Sequence, residues 1–398
     1  MFRRDLFRVL AATHLAGWLR PWTTHVCAGA VPEGANAADV YRKAFDWAEG
    51  LQSDDSRRLH EASTRPMDDH RVDDFIRQSR SALKAIREAA AIDRCDWGNA
   101  TVTTADLGRG RLNVANLNVV RVACLSARRH AKAGRGRRAL DDVFAALTLA
   151  HRVGAGGVLF ARVLECGGEV TAFQTLGRIL PVLDRSTLDD LSRRLDALPP
   201  PEPASAAIGP ESRFILDSLR AKLAAAGPII EGDQWGEVGF DEDDSSALKI
   251  LTGGDRAKLL AHLDATAPAF AELARRLDLP RPGCRAALDE FARTERSTQP
   301  IVAGLVENVW GTRHVVDRMR ALRSMLRAGV ALIRDGEPAF RAEPDPFGAG
   351  PFGLERRGDG WLIRSALDDD AKPEVSLAIG EPAAAPLKTS KSVHGGRL

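Results

Sequence analysis

Apolar residues recur at steps of three and four along most of the chain, the spacing that lays one stripe down an α-helix. The pattern is cleanest over 112–180. Val114, Leu117, Val120 and Cys124 form one stripe; Leu140, Val143, Phe144 and Leu147 form a second. Leu159, Val163, Cys166, Val170, Phe173 and Leu180 form a third. Gly134 and Gly136 separate the first pair, and Gly154, Gly156 and Gly157 the second, so three antiparallel helices joined by short turns are predicted. Further helices are predicted over 37–51, 72–92, 186–198 (with Ser186 as N-cap), 211–226, 255–278 and 285–334. The last is expected to break near Gln299-Pro300 or at Gly311. The Asp- and Arg-rich stretch after Leu51 reads as a polar connection, and 227–253, rich in Gly and Asp, as irregular chain.

Past Glu343 the character changes. Asp345-Pro346-Phe347-Gly348 and Arg357-Gly358-Asp359-Gly360 are turn signals around the short apolar pieces Phe352–Leu354 and Trp361–Ile363, which predicts a small β-hairpin. The expected fold class is therefore mainly α: antiparallel helical hairpins or a bundle, closed by a C-terminal β-hairpin. The expected organisation is a signal segment over 1–30, an N-terminal helical bundle over 31–198 and a Pro-rich joint over 199–209. A C-terminal helical region over 210–342, the hairpin closure over 343–370 and a disordered tail over 371–398 complete it. Pro199-Pro200-Pro201-Glu202-Pro203 is the strongest breaker in the chain.

Composition supports helices. The chain has one tyrosine, Tyr41, and aromatics make up 6% of it, whereas strands recruit aromatic and β-branched residues. The formal net charge is +2, and residues 1–30 contribute four arginines against one aspartate. The remainder carries 52 basic and 53 acidic residues, which lacks the excess of positive charge that nucleic-acid binding requires. The Arg-rich run Arg128–Arg138 reads as a solvated turn between helices. Residues 1–30 combine a basic start, a short apolar run from Val9 to Leu19, and the exit site Ala28-Gly29-Ala30. That is the pattern of a cleavable secretory signal. Arg3-Arg4-Asp5-Leu6-Phe7-Arg8 is similar to the twin-arginine export motif, which implies folding before export. Cleavage after Ala30, a periplasmic or otherwise exported location and no transmembrane anchor in the mature chain are expected. The alternative is an uncleaved amphipathic helix. Cys95, Cys124, Cys166 and Cys284 match no CxxC or zinc spacing, so buried thiols are expected, with one disulfide permitted.

Three features together resemble an uncharacterised group of exported helical proteins of planctomycete-type bacteria. They are the start Asn36-Ala37-Ala38-Asp39-Val40-Tyr41, the internal Cys95-Asp96-Trp97, and the close from Asp345-Pro346-Phe347-Gly348 to Gly358-Asp359-Gly360-Trp361. The resemblance implies architecture and export and carries no activity with it. The close also resembles the C-terminal hairpin of type II secretion pseudopilins. The pilin helix is missing, however, and Asp368-Asp369-Asp370 does not reproduce the calcium loop.

The chain carries no HExxH, GxSxG, Walker or dinucleotide-binding glycine motif. No two histidines stand at ligand spacing on one helix, so neither metal nor cofactor is expected. Two weaker constellations remain. His151, Glu165 and Glu169 flank the best-patterned helices and read as a group facing a shared groove or as an ordinary polar edge. His314 and Asp317 lie one turn apart, with Glu307 two turns earlier, and read as a surface helix of mixed charge or as a metal or proton-relay trio. Asp241–Asp244 reads as an acidic loop. The leading functional expectation is a non-catalytic helical scaffold or interaction module with envelope proteins as partners. The alternative is a periplasmic hydrolase with a site assembled from dispersed His, Asp and Glu. Two or more of His151, His314 and nearby acids meeting in one concave pocket would favour the enzyme, and dispersed histidines would count against it.

Overall fold

The three stripes of 112–180 fold into consecutive antiparallel helices. The computed structural model describes residues 34–64, 69–97, 111–155, 157–239, 242–367 and 374–381. The N-terminal helices are α1 (Ala37–Glu49), α2 (Ser53–Thr64), α3 (Asp69–Gln78) and α4 (Arg80–Ala90). The central three are α5 (Arg111–Lys132), α6 (Gly136–Gly154) and α7 (Leu159–Ile179), and α8 (Arg185–Ala197) follows. Past the prolines come α9 (Ile208–Ala225), α10 (Gln234–Val238), α11 (Glu242–Thr252), α12 (Arg256–Asp264), α13 (Ala267–Leu277) and α14 (Arg281–Glu295). The short α15 (Pro300–Gly304), the long α16 (Val306–Asp335) and α17 (Glu337–Arg341) complete the helices. The protein is mainly α, with a small antiparallel sheet ordered β1 (Gly353–Arg357), β2 (Gly360–Arg364), β3 (Ser376–Ile379). No helix among the described residues is long and apolar enough to cross a membrane.

Several elements differ from the sequence reading, each for a local reason. The polar connection after Leu51 is α2. Asp54 and Asp55 sit in its first turn, where carboxylates favour the helix dipole, and pair with Arg57 and Arg58 three residues on. Its Leu59 and Ala62 are buried. The helix predicted over 72–92 divides at the fully buried Ser79, whose hydroxyl donates to the Ile76 carbonyl at 3.2 Å. The N-cap of α8 is Asp184, which accepts from the Thr187 amide at 2.8 Å, and Ser186 is not the cap. Residues 227–253 are largely helical, because Trp235, Val238 and Leu248 pack with Leu219, Leu223, Leu259 and Leu263 into a second, smaller core. The chain breaks before Pro300 as predicted, and α16 runs through Gly311.

The hairpin is the first part of a three-stranded sheet. Val375, Leu377 and Ile379 alternate at period two, and all are buried. Residues 374–381, expected in a disordered tail, are thereby held against the body. Strand β3 lies on α7 so closely that a Cβ at Gly177 would stand 2.6 Å from the Ala378 carbonyl oxygen. Asp345 explains the Asp-Pro-Phe-Gly turn. It accepts from the Phe347 amide at 3.0 Å and from the Ser365 hydroxyl at 2.9 Å, tying the turn to the end of β2.

The main core crosses the proline segment without interruption, joining Leu140, Phe173 and Leu191 to Leu273, Leu322 and Leu326. The segments at the two ends of the N-terminal unit also interlock. Asn36 caps α1, donates to the Asp96 carbonyl at 2.6 Å and accepts from the Asp96 amide at 2.8 Å. Trp97 stacks on both Tyr41 and Phe45, with ring centroids 5.9 Å apart in each case. Residues 1–33, Asp241, Asp368–Asp370 and 382–398, and the expectations resting on them, lie outside the described residues.

Candidate functional site

Residues Arg162, Glu165 and Glu169 follow one another at steps of three and four, which places them on one face of α7. Helix α6 ends at Gly154, α7 begins at Leu159 and the two pack together, so the last turn of α6 faces the first turns of α7. His151 is in that last turn. Its Nδ1 donates to the Glu165 carboxylate at 2.9 Å. Glu165 also accepts from Arg162, and Arg162 reaches on to Glu202 in the proline segment. Gly154 makes this possible: a Cβ there would fall 2.1 Å from Glu165 Oε2.

His151, Arg162, Glu165, Glu169 and Glu202 line one solvent-open cleft, together with Phe144, Leu147, Leu198, Pro201, Met319 and Arg323. The cleft lies between α6 and α7 on one side and the proline segment and α16 on the other. Ligand sites combine an apolar lining with a few convergent polar groups, and this cleft has both. Arg323 holds its rim. It donates to the carbonyls of Leu195 at 3.1 Å, Leu198 at 2.6 Å and Pro199, covering the open C-terminal end of α8. Burial and the neighbouring Arg327 push the Arg323 guanidinium down to about 10. Behind His151, Arg152 donates to the carbonyls of Ala89 and Ile92, and the Arg152 carbonyl accepts from the Trp97 indole at 2.9 Å. The Cys95-Asp96-Trp97 segment thus braces the turn that carries His151.

The electrostatics separate the two ends of the cluster. The hydrogen bond to Glu165 holds the His151 imidazole above its ordinary value, against the opposing effect of burial. Burial, reinforced by the charge of Glu165, pushes the Glu169 carboxyl up to about 7. Glu169 Oε2 is buried and has no hydrogen-bond partner among the described residues. The cleft therefore presents an oriented imidazole beside a carboxyl that changes protonation near neutrality, an arrangement suited to proton transfer.

Sequence reading placed His151, Glu165 and Glu169 together, and the structure unites them. It missed Arg162, Glu202 and Arg323. Arg162 was legible as the residue one turn before Glu165, but Arg323 comes from α16 and had no local signal. The second constellation is separate from the cleft. His314 and Asp317 are buried, so α16 is not a mixed-charge surface helix here. Asp317 Oδ2 accepts from Arg281 and Arg313, at 3.0 Å each, and His314 Nδ1 lies 3.4 Å from Arg281. Two guanidiniums against one carboxylate disfavour a cation, and Glu307 is turned to Arg285 at 2.8 Å. Among the described residues no group of His, Cys, Asp and Glu is placed to hold a metal. All four described cysteines are free, with burial pushing the Cys95 thiol up to about 11 and Cys124 up to about 12.

One further carboxyl positions α7. Glu211, on α9 and fully buried, accepts from the Leu159 amide at 3.0 Å at the N-terminus of α7. Burial pushes Glu211 up to about 7 from an ordinary 4.5. Its folded-state value lies above its unfolded one, so its contribution to stability is full below about pH 4.5 and is lost as pH rises through about 7. Glu211→Gln, which does not titrate, is expected to exceed the parent's stability above pH 7 by on the order of 2–3 kcal/mol, with the gap closing towards pH 5. Urea denaturation at pH 5 and pH 8 reads this difference; equal gaps at both would refute the assignment.

No family model matches the chain, and neither the curated proteins nor the solved structures contain one that matches it. The class defined by fold and site is accordingly a mainly α-helical protein with an inter-helical cleft bearing a His–Glu–Arg cluster.

Proposed function

We propose that this is an exported hydrolase that acts by general acid–base catalysis on a small molecule bound in the α6–α7 cleft. The observation that carries the reading is Glu169, a carboxyl near pKa 7 with a buried, unpartnered oxygen in a cleft it shares with the His151–Glu165 pair. In this reading Glu165 orients the imidazole through Nδ1, which leaves Nε2 as the nitrogen free to exchange a proton with the substrate or with water. Glu169, poised between its two forms, supplies or accepts the second proton. Export rests on the basic, apolar and small-residue pattern of residues 1–30, and mass spectrometry of the secreted protein should find Val31 at its N-terminus.

The acid–base role is tested with Glu169→Gln on whichever chromogenic 4-nitrophenyl ester, glycoside or anilide of a panel the parent protein turns over. The variant is expected to lose roughly 10²–10⁴ in kcat, together with the limb of the pH profile near 7. Retention of that limb would refute the role of Glu169. If no panel member reacts and Glu169 titrates near 4.5 by carboxyl-carbon NMR, the catalytic reading itself is overturned.

A further inference from the structure

Arg162 is 4% exposed, and its guanidinium is divided between two partners. Nη1 donates to Glu165, inside the cluster, and Nη2 donates to Glu202, whose side chain is 58% exposed. Nε lies on the same edge of the fork as Nη2, and it is buried with no hydrogen-bond partner among the described residues. That edge presents two parallel N–H groups that match a carboxylate, and Glu202 meets only half of it. The segment that carries Glu202 is anchored by its backbone, through the Leu198 and Pro199 carbonyls on Arg323. Glu202 can therefore leave by rotation of its own side chain while the rim stays in place.

We propose that the Nε–Nη2 edge of Arg162 is a subsite for the carboxylate of a small organic acid, and that Glu202 occupies it in the absence of ligand. The inference rests on reading the cleft as a ligand site and specifies what enters it. Exchange of one carboxylate for another keeps the charge around the buried Arg162–Glu165 pair balanced, whereas a neutral or cationic ligand would leave Arg162 with less negative charge than it has now. Loss of the Glu202 contact costs little, because an ion pair with so exposed a partner is weak. The organic body of the acid then lies on Phe144, Leu147, Leu198, Pro201 and Met319, which line the same cleft.

The test is binding of 4-fluorobenzoate to the full chain, followed by fluorine NMR, with 4-fluorobenzamide as the uncharged control. Glu202→Gln, a substitution at an exposed side chain, is expected to bind the benzoate about fivefold more tightly than the parent. The benzamide should bind neither protein measurably. Arg162→Lys, which keeps the charge and loses the fork, should abolish benzoate binding. If that variant does not fold, Glu202→Gln decides alone. Unchanged or weaker binding by Glu202→Gln, or benzamide binding equal to that of benzoate, would overturn the proposal. Binding is read without turnover. Tighter binding with no hydrolysis overturns only the catalytic reading, and hydrolysis with no response to Glu202→Gln overturns only the subsite.

Discussion

Replacing Glu165 with Gln is expected to lower the titration point of His151 from above its ordinary 6.5 to below it. The hydrogen bond and charge of Glu165, with a smaller contribution from Glu169, raise the imidazole; without Glu165, burial is the largest remaining influence, and it lowers the value. Glu169 should respond in the same experiment, moving down from about 7, because the Glu165 charge is one of the causes holding it there. Stability falls as well. The carboxylate is 5% exposed and joins two cationic partners, and removing one member of a buried pair costs roughly 3–5 kcal/mol. The retained Arg162–Glu202 contact places the expected loss at the lower end, about 3 kcal/mol. Histidine NMR titration and urea denaturation check the two parts. A His151 that still titrates above 6.5 in the variant would sink the assignment of Glu165 as its orienting partner. The sign of the linkage is also fixed. The His151 value is raised in the folded state, so the pair's contribution is full below about pH 6.5 and declines as pH rises through the folded value. The stability gap between parent and variant should therefore shrink in alkaline solution.

The second large effect is expected far from the cleft. Asp317→Asn should cost roughly 3–5 kcal/mol, because it removes the fully buried carboxylate that both Arg281 and Arg313 pair with. Arg313 also donates to the Leu277 and Leu279 carbonyls at the end of α13, so the cluster joins α13, α14 and α16. Adding Arg281→Met to Asp317→Asn is expected to restore part of the loss, by removing one of the two cations that face the Asp317 site. Denaturation midpoints in a double-mutant cycle measure this. A loss below 1 kcal/mol for Asp317→Asn, with no recovery in the double variant, would show the cluster to be solvated.

Legibility followed the range of the physics. The α5–α6–α7 hairpins were readable because the stripe period and the glycine breaks are local. The candidate site was readable to the same extent. Three- and four-residue spacing put Glu165 and Glu169 on one face, and a short turn brought the end of α6, with His151, back against it. Helix α2 was hidden because its apolar contacts are few and its stability comes from charge placement that resembles a polar loop. Strand β3 was hidden because four residues between composition-biased stretches gain their structure only by covering α7 and α16. The mixed-charge reading of α16 failed for a related reason: sequence shows charges on a helix but not the arginines of α14 that come to meet them.

By itself, the sequence determined the helical class, the central hairpins and the closing β-turns, all set by contacts within a few turns of chain. It left His151, Glu165 and Glu169 as candidates for a shared groove or an ordinary polar edge. Tertiary structure alone decided which groups are buried and what faces them. It brought Glu202 and Arg323 to the cleft from segments 40 or more residues from Arg162, raised Glu169 by removing it from water, and engaged Asp317 with two arginines. Desolvation and long-range charge depend on the surroundings a fold assembles, and those have no period along the chain.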